Sequence, residues 1–239
     1  NTQTIKATKI QLDNQNQSLE LAFNSLKTQA DTTKNNLSNL EIGGKNLLSK
    51  TKVFDNLRNG MPKVAEKYKD FTVRGGSIPS VNTVCCEYNF TDFNLGDTFT
   101  FSFYAKGNIS QLVTFFYGEK GYVGVKEAIN SQGHSLTSGD GNTILRITNE
   151  WQRYWVTWTL KETGDKNIPK YILLRTDGST IGQEVYICGC KFEKGTKATD
   201  WTPAPEDMDS KIESNTTAIT VAQGKIEGLI SENSIIKGG

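Results

Sequence analysis

The chain has 239 residues and a formal net charge of +1, from 27 Lys and Arg against 26 Asp and Glu. This near neutrality argues against nucleic acid or an anionic membrane as a partner, because no strong positive field would attract either. No apolar run approaches the roughly 20 residues that span a bilayer, and we find no signal peptide. Hydrophobic residues make up 36%, which is low for one globule, and the deficit lies at the two ends. We interpret the chain as part of a longer polypeptide.

A seven-residue apolar repeat predicts an N-terminal coiled-coil helix over residues 1–42. One core position of the repeat carries Ile5, Leu12, Leu19, Leu26, Thr33 and Leu40. The second carries Lys9, Asn16, Phe23, Ala30 and Leu37. Such a repeat keeps a narrow stripe facing partner helices. The alternative is a helix packed on its own domain, but such a helix normally has a wider apolar face. Gly43-Gly44 marks its predicted end.

Residues 43–206 change character and predict an antiparallel β-sandwich. The runs DTFTFSFYAKG (97–107) and WQRYWVTWTL (151–160) alternate apolar or aromatic residues with others. A period of two is typical of half-buried strands, and turn signals every ten or so residues favour a sandwich. Further strands are predicted in QLVTFFYG, KYILLRTDG and EVYICGCKFEKG. No helical period of similar length interrupts them, which argues against an α/β architecture.

The four cysteines do not have the spacing of a zinc site. Cys85-Cys86 and Cys188-Gly189-Cys190 differ from the usual C-x2–4-C ligand pairs. Neighbouring strand residues also point to opposite faces. We therefore predict buried, reduced cysteines that act as small hydrophobic residues, with a metal or disulfide role as the less favoured alternative.

A second seven-residue repeat predicts that another coiled-coil helix begins in residues 207–239. Pro203 and Pro205 end the strand pattern before it. The core positions of this repeat are occupied by Ile212, Ile219, Ile226 and Asn233, and by Met208, Asn215, Ala222, Leu229 and Ile236. Isoleucine at one core position and Asn215 at the other favour a homotrimer over a dimer.

Four segments resemble modules in tail proteins of phages that infect Gram-positive bacteria. They are KNLLSKT, FTFSFYAKG, WQRYWVTWTL and VYICGCKFEKGTKATDWTPAPED. The most specific positions of the resemblance are Phe192, Glu193, Gly195, Asp200, Trp201, Pro203 and Pro205. The likeness covers residues 43–207, and in such tail-tip, baseplate and receptor-binding (tail fibre-like) proteins this closing run commonly precedes a coiled coil.

The resemblance implies a jelly-roll, carbohydrate-binding fold with galactose-binding-like topology, carried on a trimeric rod. It further implies a virion protein of the tail tip or baseplate, made in the bacterial host cytoplasm. Its expected partners are a host cell-wall polysaccharide, bound during adsorption, and other tail-tip or baseplate proteins. Binding residues vary in place within this broad fold, so the resemblance assigns none of them here.

Candidate saccharide-binding residues follow instead from the alternation, because sugar sites combine aromatic rings with planar hydrogen-bonding groups. Trp155 and Arg153 fall on the face of their strand opposite Tyr154, Val156 and Trp158, and Tyr104 falls opposite Phe99, Phe101 and Phe103. We add three residues near turns or loops, which are Arg175, Tyr117 and Tyr122. The alternative is that a loop, the coiled coil or a neighbouring protomer covers these side chains. Trp151 and Trp201 are predicted to be structural, with Trp201 packed against the N-terminal segment.

Catalysis has little support in the sequence. The single histidine, His134, lies in a polar loop without a motif. Aspartates fall mostly in turns, and no spacing indicates two converging carboxylates or a nucleophile motif. We predict a non-enzymatic protein without cofactor, with a structural calcium at Glu193 or Asp200 as a minor hypothesis. The alternatives are a structural spacer or docking module without a sugar site and, less favoured, a wall polysaccharide hydrolase or lyase.

Overall fold

The computed structural model describes residues 1–39, 44–118, 124–135, 142–161 and 170–237. Leu40, Gly43 and Tyr122, which the predictions name, lie outside these ranges. Contacts divide the chain into two compact units, Asn1–Ile42 and Gly43–Gly239.

The described residues form eleven strands and two helices. The strands are β1 (Asn59–Gly60), β2 (Lys63–Tyr68), β3 (Phe71–Ser77), β4 (Thr83–Phe90), β5 (Thr98–Gly107), β6 (Leu112–Gly118), β7 (Val125–Asn130), β8 (Thr143–Leu145), β9 (Gln152–Leu160), β10 (Lys170–Thr176) and β11 (Glu184–Lys194). The helices are α1 (Thr2–Asn39) and α2 (Pro205–Lys237).

The strands build two antiparallel sheets, which confirms the predicted fold class of a mainly β sandwich. Sheet A has the order β1-β4-β10-β6-β8, and sheet B has the order β2-β3-β11-β5-β9-β7. The two strands with the clearest alternation pair directly, since Phe101 lies opposite Val156 and Ser102 opposite Trp155. Their apolar residues therefore share the face of sheet B that is turned toward sheet A.

An aromatic core lies between the sheets. Phe90 of sheet A contacts Phe99 and Phe192 of sheet B, with ring centroids 5.3 and 4.8 Å apart. Phe116 of sheet A lies 5.5 Å from Trp158 of sheet B. These five rings are almost fully buried, and geometries of this kind stabilise a core beyond the area that they bury. The sequence alternation therefore identifies the face of β5 and β9 that forms this core.

All four cysteines are buried and free, as predicted. Cys86 and Cys190 are wholly buried residues of the main core cluster. Burial raises the pKa of the Cys85 and Cys188 thiols well above the ordinary value. A thiol in this state is a weak nucleophile, which agrees with a packing role for these side chains.

The described stretches of both predicted coiled-coil segments are helical. In α1 the heptad residues Ile5, Leu12 and Leu19 each expose more than half of their surface, and Ile212 and Ile219 of α2 do the same. The chain alone therefore leaves these stripes in contact with water. Neither described helix is long and apolar enough to cross a membrane.

Candidate functional site

The predicted site residues divide between the outer faces of the two sheets. In β5 and β9 the pairs Ser102–Trp155 and Tyr104–Arg153 alternate with pairs of core residues. Trp155, Arg153 and Tyr104 therefore lie on the outer face of sheet B. Tyr117 and Arg175 lie on the outer face of sheet A, on neighbouring strands. Tyr122 lies outside the described residues. The five described residues therefore do not form one site.

Trp155 is the half-buried aromatic residue of sheet B whose ring makes no hydrogen bond or ring contact with the described part of the chain. Its backbone is fixed on both sides, since its amide donates to the Ser131 hydroxyl at 3.4 Å and its carbonyl accepts from the Ser131 amide at 2.8 Å. Ile129, on the adjoining strand β7, is 47% exposed. A partly exposed indole on a fixed backbone, beside an exposed apolar side chain, can stack on a sugar ring.

Tyr104 belongs to an aromatic cluster on the outer face of sheet B that joins the end of the β2–β3 hairpin to β5 and to the residue before β9. Tyr68, at the end of β2, stacks on Trp151 with centroids 4.7 Å apart and meets the edge of Tyr104 at 5.3 Å. The Lys69 ammonium lies 4.7 Å from the Tyr104 ring centroid and donates to its hydroxyl at 3.3 Å. The Tyr104 ring is thus already engaged by the chain itself.

A glycine allows this close approach of hairpin and sheet. Gly189 has a φ of +61°, and a Cβ atom at this position would lie 3.1 Å from the rings of both Phe71 and Tyr104. The other side of the cluster is closed by Glu66, which accepts from the Trp151 indole at 3.1 Å and from Lys106 at 2.8 Å. The aromatic cluster on the outer face of sheet B therefore serves to attach the end of the β2–β3 hairpin to β5.

Arg153 holds the segment that follows β11. Its guanidinium donates to the Thr199 carbonyl and to the Ser102 hydroxyl, and it lies 3.4 Å from the Asp200 carboxylate. Next to it, the indole of Trp201 donates to Thr51 at 3.0 Å. This contact confirms that Trp201 packs against the N-terminal segment of the sandwich.

Glu193 has its carboxylate occupied by protein groups. Its two oxygens accept from the Thr199 amide at 2.9 Å and from the Thr199 hydroxyl at 2.6 Å, and Lys191 lies 3.5 Å away. Within the described ranges, no three His, Cys, Asp or Glu side chains come together as a cation site. The arrangement thus serves to fix residues 199 and 200 above sheet B.

The outer face of sheet A carries a second, smaller apolar cluster with an arginine at each end. Val113, Phe115 and Leu173 form its buried centre. The Arg175 guanidinium lies 4.5 Å from the Phe115 ring centroid and binds Asp177 through two hydrogen bonds of 2.6 and 2.8 Å. This pairing leaves Arg175 as a half-exposed group with a fixed orientation.

The other end of this face is built around Glu87, which is 3% exposed. Its Oε1 accepts from Arg58 at 2.9 Å and from the Tyr117 hydroxyl at 3.0 Å. Burial, and next the charge of Glu87, raise the pKa of Tyr117 to about 12, so the phenol keeps its proton. The Arg58 guanidinium also stacks on Tyr171, with its Cζ atom 4.4 Å from the ring centroid. The ring centroids of Tyr171 and Tyr117 are 5.1 Å apart.

Sequence reasoning missed Arg58, Glu87 and Tyr171. The run KYILLRTDG does not show which face of β10 meets the core, because its four consecutive residues Tyr171–Leu174 are all apolar. Arg58 and Glu87 are 29 residues apart, and no local pattern connects such positions. A Glu within the strand run TVCCEYNF was the available signal, because a buried carboxylate requires a partner.

No protein-family model matches the chain, and no curated protein sequence is similar to it. Solved structures with a similar arrangement include the tripod from the baseplate of bacteriophage Tuc2009, which is 16% identical over 69% of this chain and 60% of that one (TM-score 0.42). The CBM22-1 xylan-binding domain from Paenibacillus barcinonensis is 14% identical over 65% of this chain and 98% of its own (TM-score 0.39).

A third similar structure is the enzymatically active domain of tailspike protein 4 from bacteriophage CBA120. It is 14% identical over 63% of this chain and 21% of that one (TM-score 0.38). The neighbours in structure thus include both carbohydrate-binding β-sandwiches and phage tail or baseplate proteins. Similarities of this size do not establish a family or a function for the chain.

Proposed function

We propose that this chain is a non-enzymatic segment of a tail-tip or baseplate protein of a phage that infects Gram-positive bacteria. Its β-sandwich binds a host cell-wall saccharide during adsorption, and its heptad helices assemble three copies into a rod within the virion. The closing run that includes Asp200, Trp201 and Pro203 supports the first part by resemblance. The exposed stripes of α1 and α2 support the second.

The observation that carries saccharide binding is the state of Trp155. Its indole is half-buried on the outer face of sheet B, its backbone is fixed by Ser131, and no other described ring contacts it. A Trp side chain has only two side-chain torsions and its backbone is held here, so it loses little conformational freedom when it stacks on a pyranose and is suited to bind a saccharide. Arg153 and Tyr104, which the chain already engages, form the border of this contact and not its centre.

Three copies on one rod raise the avidity for a repeating wall polymer. Each site alone is expected to bind weakly, because a single stacking contact buries a small area. Linked sites act at a high effective concentration, which multiplies the overall affinity without new contacts when the polymer reaches more than one of them. A weak site is therefore compatible with firm attachment of a virion.

The test measures binding of purified host wall polysaccharide to the full chain. Trp155→Ala is expected to reduce binding about tenfold, the effect of losing roughly 1.4 kcal/mol of stacking. Ile181→Ala is the matched control, since Ile181 is a 64% exposed apolar residue in the turn before β11. Equal binding by Trp155→Ala and wild type would reject this site, and absence of binding by wild type would reject the function.

The main competing function is a structural spacer that docks neighbouring tail proteins. One observation favours it: the Tyr68 ring contacts both Tyr104 and Trp151, which leaves less free aromatic surface on the outer face of sheet B. A spacer predicts no saccharide binding by wild type but capture of another tail protein from the same phage. If the chain alone cleaves the polysaccharide, the remaining alternative, a wall hydrolase or lyase, would be supported.

A further inference from the structure

A cleft of about 360 Å³ lies at one end of sheet A, beside the Arg58–Glu87 pair. It is bounded by the loop before β1, by β4 and by the first turn of α2, and its lining includes Ser49, Asn56, Arg58, Asn89 and Glu206. Leu47 and Leu57 add apolar walls. A pocket of this size is at the small end of those that hold organic ligands.

The loop that forms one wall is held in a costly conformation. Lys50, Phe54 and Asn56 have φ values of 58°, 54° and 62°, and each such residue costs on the order of 1 kcal/mol or more. Specific contacts impose this shape: the Lys50 amide donates to both oxygens of Asp207 at 2.9 and 2.8 Å, and Asn56 donates to Ser49 at 2.9 Å. Strain that is held in this way is typical of a preorganised binding wall.

The Arg58 guanidinium is fixed while part of it stays accessible. Its backbone amide donates to the Glu87 carbonyl at 2.9 Å, its NH1 group donates to the Glu87 carboxylate at 2.9 Å, and its plane rests on Tyr171. The side chain is nevertheless 45% exposed. A guanidinium has five N–H donors in a rigid fork, so donors remain for a ligand in the cleft.

Asn89 supplies an amide next to this fork. It lies opposite Tyr171 in the register of β4 and β10, it is exposed, and its side chain makes no hydrogen bond with the described residues. Arg58, Asn89 and Asn56 therefore each offer a planar polar group to the lining of the cleft.

The charges of the cleft select against anions. The positive charge of Arg58 is balanced by Glu87 at 2.9 Å, and Glu206 adds a carboxylate to the lining. Because Glu87 already balances Arg58, an acidic ligand would be repelled by the carboxylate of Glu206. Neutral hydroxyl groups can accept from Arg58 and Asn89 and donate to Glu206.

We propose that this cleft is a second saccharide site, which takes a neutral sugar unit of one or two rings. The ligand class rests on the proposed function, but the site is separate from Trp155 because it lies on the other sheet. Vicinal hydroxyls of the sugar accept from the Arg58 fork, and its apolar face lies against Leu47 and Leu57. The chain would thus contact a wall polymer at two places.

The test uses the full chain and saturation-transfer NMR with free glucose, galactose, rhamnose and N-acetylglucosamine at millimolar concentration, and with galacturonic acid as the anionic comparison. At least one neutral sugar is expected to bind, and the uronic acid is not. Asn89→Ala and Arg58→Lys are each expected to weaken binding about tenfold, as one charge-assisted or two neutral hydrogen bonds are lost. Ile181→Ala, at an exposed apolar residue outside both proposed sites, is expected to leave it unchanged.

Asn89→Ala removes an exposed side chain without partners among the described residues, so it tests the site without the risk of unfolding. Arg58→Lys keeps the charge near Glu87 but removes the fork. Equal binding by both variants and wild type would overturn the proposal, as would binding of the uronic acid as strongly as the neutral sugars or no binding of any of them. If only Trp155→Ala abolishes binding of the free sugars, the cleft is refuted while the saccharide function of the chain stands.

Discussion

The Nζ atom of Lys191 lies 3.5 Å from Oε2 of Glu193, and neither side chain is exposed to solvent. The ammonium also donates to the Thr199 hydroxyl at 2.8 Å and to the Asp200 carbonyl at 2.6 Å. Burial lowers the pKa of Lys191, but these three oxygen partners compensate the charged form. The pair thereby attaches the segment before Trp201 to the outer face of sheet B.

Replacement of Lys191 by Met is expected to destabilise the sandwich by about 3–5 kcal/mol, because it leaves the carboxylate of Glu193 buried without its cation. The free energy of unfolding, measured with urea, checks this value. The double variant Lys191→Met/Glu193→Leu is expected to be more stable than the single one, since no unpaired charge remains. Lys194→Met is the control, because that lysine is 43% exposed and its pair with Asp97 contributes at most about 1 kcal/mol. A loss within about 0.5 kcal/mol for Lys191→Met would show that the buried pair does not hold the segment.

Gly75 lies where β3 passes against β11. A Cβ atom at this position would lie 2.1 Å from the carbonyl oxygen of Val185, which is backbone and cannot rotate away. Gly75→Ala is therefore expected to reduce the free energy of unfolding by more than about 3 kcal/mol. Gly96→Ala is the matched comparison, because Gly96 has a φ of +87° but open space around its Cβ position. Its expected cost is about 1 kcal/mol, from the backbone conformation alone. An equal decrease in the free energy of unfolding for both variants would show that the close approach of β3 and β11 at Gly75 adds no cost.

Much of the sandwich is predictable from local pattern, whereas the candidate sites are not. The alternation in β5 and β9 predicts correctly that Phe101 and Val156 face the core and that Trp155 faces outward, because successive strand residues point to opposite sides. It cannot show that Tyr104 lies under the tip of another hairpin or that Tyr117 belongs to the other sheet. Those facts depend on strand order and on contacts between residues far apart in the chain. The Arg58–Glu87 pair likewise joins residues that are far apart in the chain.

The attachment of the β2–β3 hairpin is expected to weaken in acid. The pKa of Glu66 lies below its ordinary value of 4.5, chiefly because of the hydrogen bond from Lys106, with a further contribution from Trp151. A lowered carboxyl pKa adds stability above pH 4.5, and this contribution is lost as the pH falls through the folded-state value. Since Glu66 is partly exposed, the expected size is at most about 1 kcal/mol.

Glu66→Gln tests this pH dependence. At neutral pH the variant is expected to unfold at a lower temperature than wild type, and the difference is expected to shrink well below pH 4.5, where wild type has lost the same charge. Glu150→Gln, at an exposed position near Trp151, is the control and should match wild type throughout. A difference between Glu66→Gln and wild type that stays constant with pH would exclude the ion pair as its cause.

The proposed trimer is expected to depend on the apolar stripe of α2. Ile219 and Val221 are exposed to similar extents, 58% and 54%, but only Ile219 belongs to the seven-residue repeat. A charge in the core of a coiled coil is strongly unfavourable, whereas one on the outer surface is tolerated. Ile219→Asp is therefore expected to convert a trimer into monomers and to reduce helicity, while Val221→Asp leaves both unchanged. Light scattering for the mass and circular dichroism for the helix content distinguish the two variants. A wild-type chain that is monomeric at micromolar concentration, or equal behaviour of the two variants, would contradict assembly through this stripe.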